Sequence, residues 1–141
     1  MRIVATIEAR MTSSRLPGKV LMPAGGVTML KHLVTRLEAV ASIEAIVLAT
    51  TINKTDDPLV EFAKKENINY YRGSEDDVML RVIEAAESVN ADIVVEITGD
   101  CPIIDPQIVE QTIRMFKAHN ADYVSNAHIR SYPDGMDTQV F

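Results

Sequence analysis

Ala45-Ile46-Val47-Leu48-Ala49-Thr50 is a nearly unbroken apolar run. Its β-branched residues favour extended backbone, and a strand with no polar alternation is one covered on both faces, the hallmark of a parallel sheet between helices. Working outward, Arg2–Ile7, Ile68–Tyr71, Asp92–Ile97, Asp122–Ser125 and Asp137–Phe141 read as further strands. Between them the apolar period changes to helical spacing. Met29, Leu30, Leu33, Val34, Leu37 and Val40 form one stripe with Thr28 as N-cap. Pro58–Glu66 follows the turn Asp56-Asp57. Asp77–Val89 carries Val82, Ile83, Ala86 and Val89 inward, and Pro106–Ala118 carries Ile108, Val109, Ile113 and Phe116. Strands alternating with helices require right-handed crossovers and parallel neighbours. The expected fold is therefore α/β, a Rossmann-like three-layer sandwich on a mostly parallel sheet. In such a sheet ligands bind beyond the carboxyl ends of the strands. That rim is Ala9–Pro23, Thr51–Asp57, Arg72–Asp77, Thr98–Asp105 and Asn126–Gly135.

Composition bounds the function. The 141 residues, 47% hydrophobic and 24% charged, suit one globular domain. No apolar run approaches the roughly 20 residues of a membrane helix, and Met1–Glu8 lacks the features of a signal peptide. Cys101 is the sole cysteine, which fits a reducing cytoplasm. A net charge of −6 argues against nucleic acid as partner. The chain stops on Val140-Phe141 within a strand and without a polar tail. This predicts the N-terminal part of a longer domain, with both residues left exposed at an unfinished sheet edge.

The charge is unevenly placed. From Ala9 to Leu37 there is no acid, whereas Arg10, Arg15, Lys19, Lys31 and Arg36 lie there. They are either solvated surface charges or a site for a small anion. The loop after the first strand, Ala9-Arg10-Met11-Thr12-Ser13-Ser14-Arg15-Leu16-Pro17-Gly18-Lys19, favours the anion. Backbone N–H groups of a Gly- and Ser-containing loop cradle phosphate oxygens, Arg offers a bidentate fork, and Lys adds a point charge. The loop matches neither GxGxxG nor GxxxxGK[ST], so neither a dinucleotide site nor a P-loop is supported. At the fourth long strand's end lies Thr98-Gly99-Asp100-Cys101-Pro102. Asp100 there either holds Mg²⁺ against phosphate oxygens or simply closes the turn. Asp105 before Pro106 is an N-cap pair. His32, His119 and His128 lack metal-ligand spacing.

Arg10-Met11-x-Ser13-Ser14-Arg15-Leu16-Pro17-Gly18-Lys19 resembles the signature loop of the cytidylyltransferases that activate acidic sugars. That family includes the 3-deoxy-manno-octulosonate and N-acylneuraminate enzymes, and the likeness is greatest to its spore-coat-polysaccharide branch. The resemblance implies transfer of CMP from CTP to a sugar hydroxyl, with pyrophosphate leaving. Ala9, Arg10, Ser13, Ser14, Arg15, Gly18 and Lys19 would bind the nucleotide. Asp100 would be the Mg²⁺ ligand, and Arg10, Lys19 and Asp100 would carry catalysis.

Arg72-Gly73-Ser74-Glu75-Asp76-Asp77 resembles the family segment beside the base, which puts Arg72 there; Ser74 also reads as a helix cap. Asn126 and Tyr132-Pro133-Asp134-Gly135-Met136-Asp137 resemble the sugar-accepting stretch, which implies Asn126, Asp134 and Asp137 as sugar contacts. The family domain normally runs further, with a second metal-binding carboxylate and much of a homodimer interface in that part. Two rivals stay open: a glycosyltransferase on the same sheet, and a non-catalytic nucleotide-binding subunit. Neither Asp134-x-x-Asp137 nor Asp76-Asp77 has the D-x-D spacing common in glycosyltransferases.

Overall fold

The computed structural model describes residues 1–141. The elements are β1 (Ile3–Glu8), β2 (Pro23–Ala24), β3 (Val27–Thr28), α1 (Met29–Glu38), β4 (Ala45–Thr51), α2 (Asp57–Glu66), β5 (Asn69–Gly73), α3 (Val78–Glu87), β6 (Ile93–Thr98), α4 (Pro106–His119), β7 (Val124–Ser125) and β8 (Gln139–Val140). Six strands form one sheet in the order β5-β4-β1-β6-β8-β7, and β1 pairs in parallel with both β4 and β6. The chain first winds from β1 outward through β4 to β5, then crosses back over β1 to reach β6. The loops after β1 and β6 therefore leave the sheet in different directions, and a crevice opens between them. Glu8 lies opposite both Ala49 and Thr98, so β1 and β6 end at one level while β4 runs on to Thr51.

The two crossover directions place helices on opposite faces. Ile3, Ala5 and Ile7 of β1 join Ile46 and Leu48 of β4 and Ile93, Val95 and Ile97 of β6 on one face. Leu30, Leu33, Val34 and Leu37 of α1, Leu59 and Phe62 of α2, and Val109 and Ile113 of α4 cover it. Each such side chain contributes about 1.5–3 kcal/mol on burial. The other face is a smaller layer, Val4, Val47 and Ala49 under Ala85 of α3. No helix is long and apolar enough to cross a membrane.

Thr28 caps α1 and Asp105 caps α4, as expected, through Lys31 N–H and Gln107 N–H. β2 and β3 form a small hairpin turned by Gly25 (φ 62) and Gly26 (φ 82), angles that glycine adopts without strain. Three expectations need correction. The cap of α3 is Asp77, which accepts from Leu80 N–H; Ser74 instead accepts from Asp77 N–H one turn earlier. On α3 the buried set is Arg81, Val82, Ala85 and Ala86, while Ile83 is exposed. Finally, Val140 and Phe141 are not left open. β8 runs antiparallel to β6, Val140 is fully buried, and Phe141 exchanges backbone bonds with Val94 and stacks on Tyr123.

Candidate active site

The loop after β1 is shaped by three ties. Ala9 N–H still bonds Ala49 O at 3.1 Å, which carries the sheet one residue past β1. Met11 N–H then donates to Asp56 Oδ1 at 2.7 Å. Met11 O in turn accepts from Ser13 N–H (3.1 Å) and Gly18 N–H (2.8 Å), so residues 11–18 close on a narrow neck. Gly18 sits at φ 71, a conformation other residues adopt only with strain. A 3₁₀ turn over Lys19–Leu21 follows and buries Val20, and this fixes Lys19 toward the crevice.

The loop after β6 forms the opposite wall. Gly99 N–H bonds Glu8 O at 2.8 Å. A Cβ at Gly99 would lie 3.0 Å from Glu8 O and 3.1 Å from Ala9 Cβ, so only glycine permits this approach of the two walls. Asp100 then projects over the rim. It accepts no backbone N–H, which removes the turn-closing role; its one polar partner is Lys19 Nζ, 2.9 Å from Oδ1. Cys101 is buried behind it, near Thr98 Oγ1, and burial pushes its thiol up, which disfavours the thiolate.

Between these walls lies a cleft of about 270 Å³. Of the residues expected to bind nucleotide, Ala9, Arg10, Ser13, Ser14, Arg15, Lys19 and Asp100 line it, and Gly18 shapes it. A second, shallower space between Leu16, Met29 and Pro102 shares Arg15, Lys19 and Asp100 with it. The basic segment divides by destination. Lys31 pairs with Glu66 at 2.8 Å and Arg36 donates to Ile104 O at 3.3 Å, so neither serves the cleft.

Two charged residues that the sequence reading passed over also line it: Glu8 at the end of β1 and Arg81 on α3. Their signal was present in the strand parity of Glu8 and in the stripe through Val82, but a basic residue on an inner helical stripe is easily read as solvated. Arg10, Arg15, Lys19 and Arg81 therefore face Glu8 and Asp100, a local cationic excess in an acidic protein. Burial raises the carboxyl of Glu8 above its ordinary value, with Arg81 opposing and Asp100 reinforcing the shift.

Arg72 is spent elsewhere. Its guanidinium donates to Thr51 O (2.8 Å) and Asn53 O (2.7 Å) and pairs with Asp57 (2.8 Å), stapling the β4 and β5 loops. Asn126, Asp134 and Asp137 line neither space. Asn126 bridges Met136 O and Thr138 N–H, each at 2.8 Å, and Asp134 pairs with Arg130 on the surface. No three His, Cys, Asp or Glu residues converge to cage a metal. Asp100 offers one hard oxygen donor at the cleft mouth, which fits Mg²⁺ held by a single carboxylate and shared with substrate phosphates.

Comparison with known proteins agrees with this geometry. A family model described as cytidylyltransferase matches residues 4–131. The spore coat polysaccharide biosynthesis protein SpsF of Bacillus subtilis is 36% identical over an alignment that spans 98% of this chain and 58% of that protein. A cytidylyltransferase structure from Leptospira borgpetersenii superposes with a TM-score of 0.94 at 37% identity, covering 100% of this chain and 60% of that one. A CMP:2-keto-3-deoxy-manno-octonic acid synthetase complexed with CTP gives 0.72 at 29% identity, covering 86% and 49%. The chain thus spans little more than half the length of the curated relatives it matches. With the signature loop, the parallel sheet and the cleft at its switch point in agreement, this chain belongs to the cytidylyltransferase family.

Proposed function

We propose that the cleft binds CTP and that the protein transfers CMP to a hydroxyl of an acidic sugar, releasing pyrophosphate, in cell-surface polysaccharide biosynthesis. The observation that carries this reading is the convergence of Arg10, Arg15 and Lys19 on the rim where β1 and β6 part. A triphosphate suits such a set: Lys19 pairs with Asp100 and Arg10 lies 4.0 Å from Glu75, while Arg15 has no acid within ion-pair distance.

The roles follow from position. Ser13, Ser14 and the backbone up to Gly18 would cradle phosphate oxygens, while Arg10 and Arg15 fork onto them. Lys19, now paired with Asp100, would turn to the phosphates as they enter. Mg²⁺ on Asp100 would neutralise charge building on the departing pyrophosphate. A direct in-line displacement by the sugar hydroxyl needs no protein nucleophile: the chain's work is positioning and charge neutralisation. The shallow space beside Leu16, Met29 and Pro102 adjoins the same cations and is the nearest room for the acceptor. That a synthetase complexed with CTP shares this fold supports CTP as the nucleotide. We place the protein in the cytoplasm and, at full length, as a homodimer.

The test is pyrophosphate release from each of the four nucleoside triphosphates with a panel of 3-deoxy-2-ketoacids and neutral sugars, using the protein at the length of its relatives. CTP with an acidic sugar should give turnover. Turnover on a preformed nucleotide sugar alone, or none with any acceptor, would remove the reading.

A further inference from the structure

Glu8 and Arg81 form a pair whose bonding capacity the protein itself leaves unspent. Glu8 ends β1 with its carboxylate in the cleft and makes no hydrogen bond; its one charged partner is Arg81, with Oε2 3.8 Å from a guanidinium nitrogen. That separation exceeds hydrogen-bond length. The Arg81 side chain is 3% exposed. One of its terminal nitrogens donates to Ser74 O, and its Nε has no partner. An unpaired buried guanidinium N–H is costly, and such an orphan in a native structure calls for an explanation such as a catalytic role or a bound water or ion. The seat is built for this residue. A Cβ at Gly73, where β5 ends, would press Arg81 Cγ at 3.1 Å. Glycine there lets the arginine stem lie flat on the sheet.

A carboxylate only accepts and a guanidinium only donates. Side by side in a cleft, they complement a ring edge on which an amino group stands next to acceptor atoms. Cytosine has that edge: the 4-amino group donates, while N3 and O2 accept. Arg72, the other candidate for the base, is consumed by Thr51, Asn53 and Asp57. We infer that Glu8 and Arg81 are the base-reading residues of this site, with Glu8 accepting from the cytosine 4-amino group and Arg81 donating to its ring acceptors. The inference rests on the CTP reading above and names the specificity determinant of that same site.

A double-mutant cycle on protein and ligand tests it. Calorimetric affinities are measured for the 141-residue chain and its Glu8→Gln and Glu8→Ala variants. The ligands are CTP, the 2-pyrimidinone riboside triphosphate that lacks the amino group, UTP and dCTP. In the unmodified chain, loss of the amino group should cost roughly tenfold or more, since a hydrogen bond to a charged acceptor is lost. In Glu8→Ala the same deletion should change affinity less than about twofold, and Glu8→Gln should narrow the preference for CTP over UTP. Glu8→Gln is near-isosteric, so its melting temperature serves as the check on folding. Additive losses in the cycle would overturn the inference while leaving CTP binding standing. So would equal weakening of CTP and UTP with collapse of the CTP to dCTP ratio, which would assign Glu8 to the ribose. Absence of binding by every triphosphate would remove the CTP reading itself, and the inference with it.

Discussion

Asp56 holds the entrance of the loop after β1 from a distant part of the chain. It is 1% exposed, and its carboxylate accepts Met11 N–H at 2.7 Å and the Thr51 hydroxyl. Asp56→Ala deletes both bonds and strands a Met11 N–H where no other acceptor reaches it. Hydrogen bonds to a charged group are worth about 1.5–3 kcal/mol each. The pair therefore predicts a loss of about 3–6 kcal/mol, a large share of the ~5–15 kcal/mol that holds an ordinary domain together. At roughly 3–4 °C per kcal/mol for a chain of this length, the melting temperature should fall by roughly 10–24 °C. Asp56→Asn keeps one carbonyl acceptor and should lose about half as much. Thermal unfolding by circular dichroism reads the first effect, and CTP titration of the Asn variant reads the second. A loosened neck at Met11 should weaken CTP about tenfold even where the fold persists, because the phosphate loop must then be ordered on binding. A drop of under about 1 kcal/mol for Asp56→Ala would show that Asp56 is no clamp, and unchanged CTP affinity in Asp56→Asn would detach the clamp from the site.

Two further outcomes follow from the electrostatics. Glu96 is buried without a hydrogen-bond partner, and burial, with Glu8 adding, raises its carboxyl above the ordinary 4.5. The folded state then holds the proton more tightly than the unfolded one, so this group's contribution to stability is best below 4.5 and declines as pH rises through the folded value. Glu96→Gln should consequently raise the melting temperature at pH 7 more than at pH 4, and an equal change at both would contradict the assignment. Asp100 bonds no backbone group, so Asp100→Asn should leave the melting temperature nearly unchanged while removing most of the Mg²⁺ dependence of CTP binding. Retained Mg²⁺ dependence would place the metal on another residue.

The sheet was legible because its signals are local. The apolar run through Ala45–Thr50, the stripe of α1 and the Asp105-Pro106 cap depend on neighbours in sequence, and each appears where those neighbours put it. The signature loop was legible for the same reason, since Arg10 to Lys19 lies within one connection. Partners chosen across the fold were not. Lys31 and Arg36 look identical in sequence to Arg15 and Lys19, but Glu66 and Ile104 O meet them, and those contacts exist only after α1 docks. Arg72 is kept from the cleft because the carbonyls of Thr51 and Asn53, at the end of the neighbouring strand, capture its guanidinium. Likewise the antiparallel β8 follows from a return path through residues 126–138 that carries no periodicity, pinned by the Asn126 amide.

Whether the cleft recognises a triphosphate is asked most directly by isothermal titration with CTP and CMP, with Mg²⁺ present. CMP lacks the β- and γ-phosphates that Arg10, Arg15 and Lys19 would neutralise. CTP should bind at least about a hundredfold more tightly than CMP, and Lys19→Met or Arg10→Ala should cost CTP about tenfold and CMP less than twofold. Equal affinities for CTP and CMP, or equal losses for both in these variants, would contradict triphosphate recognition.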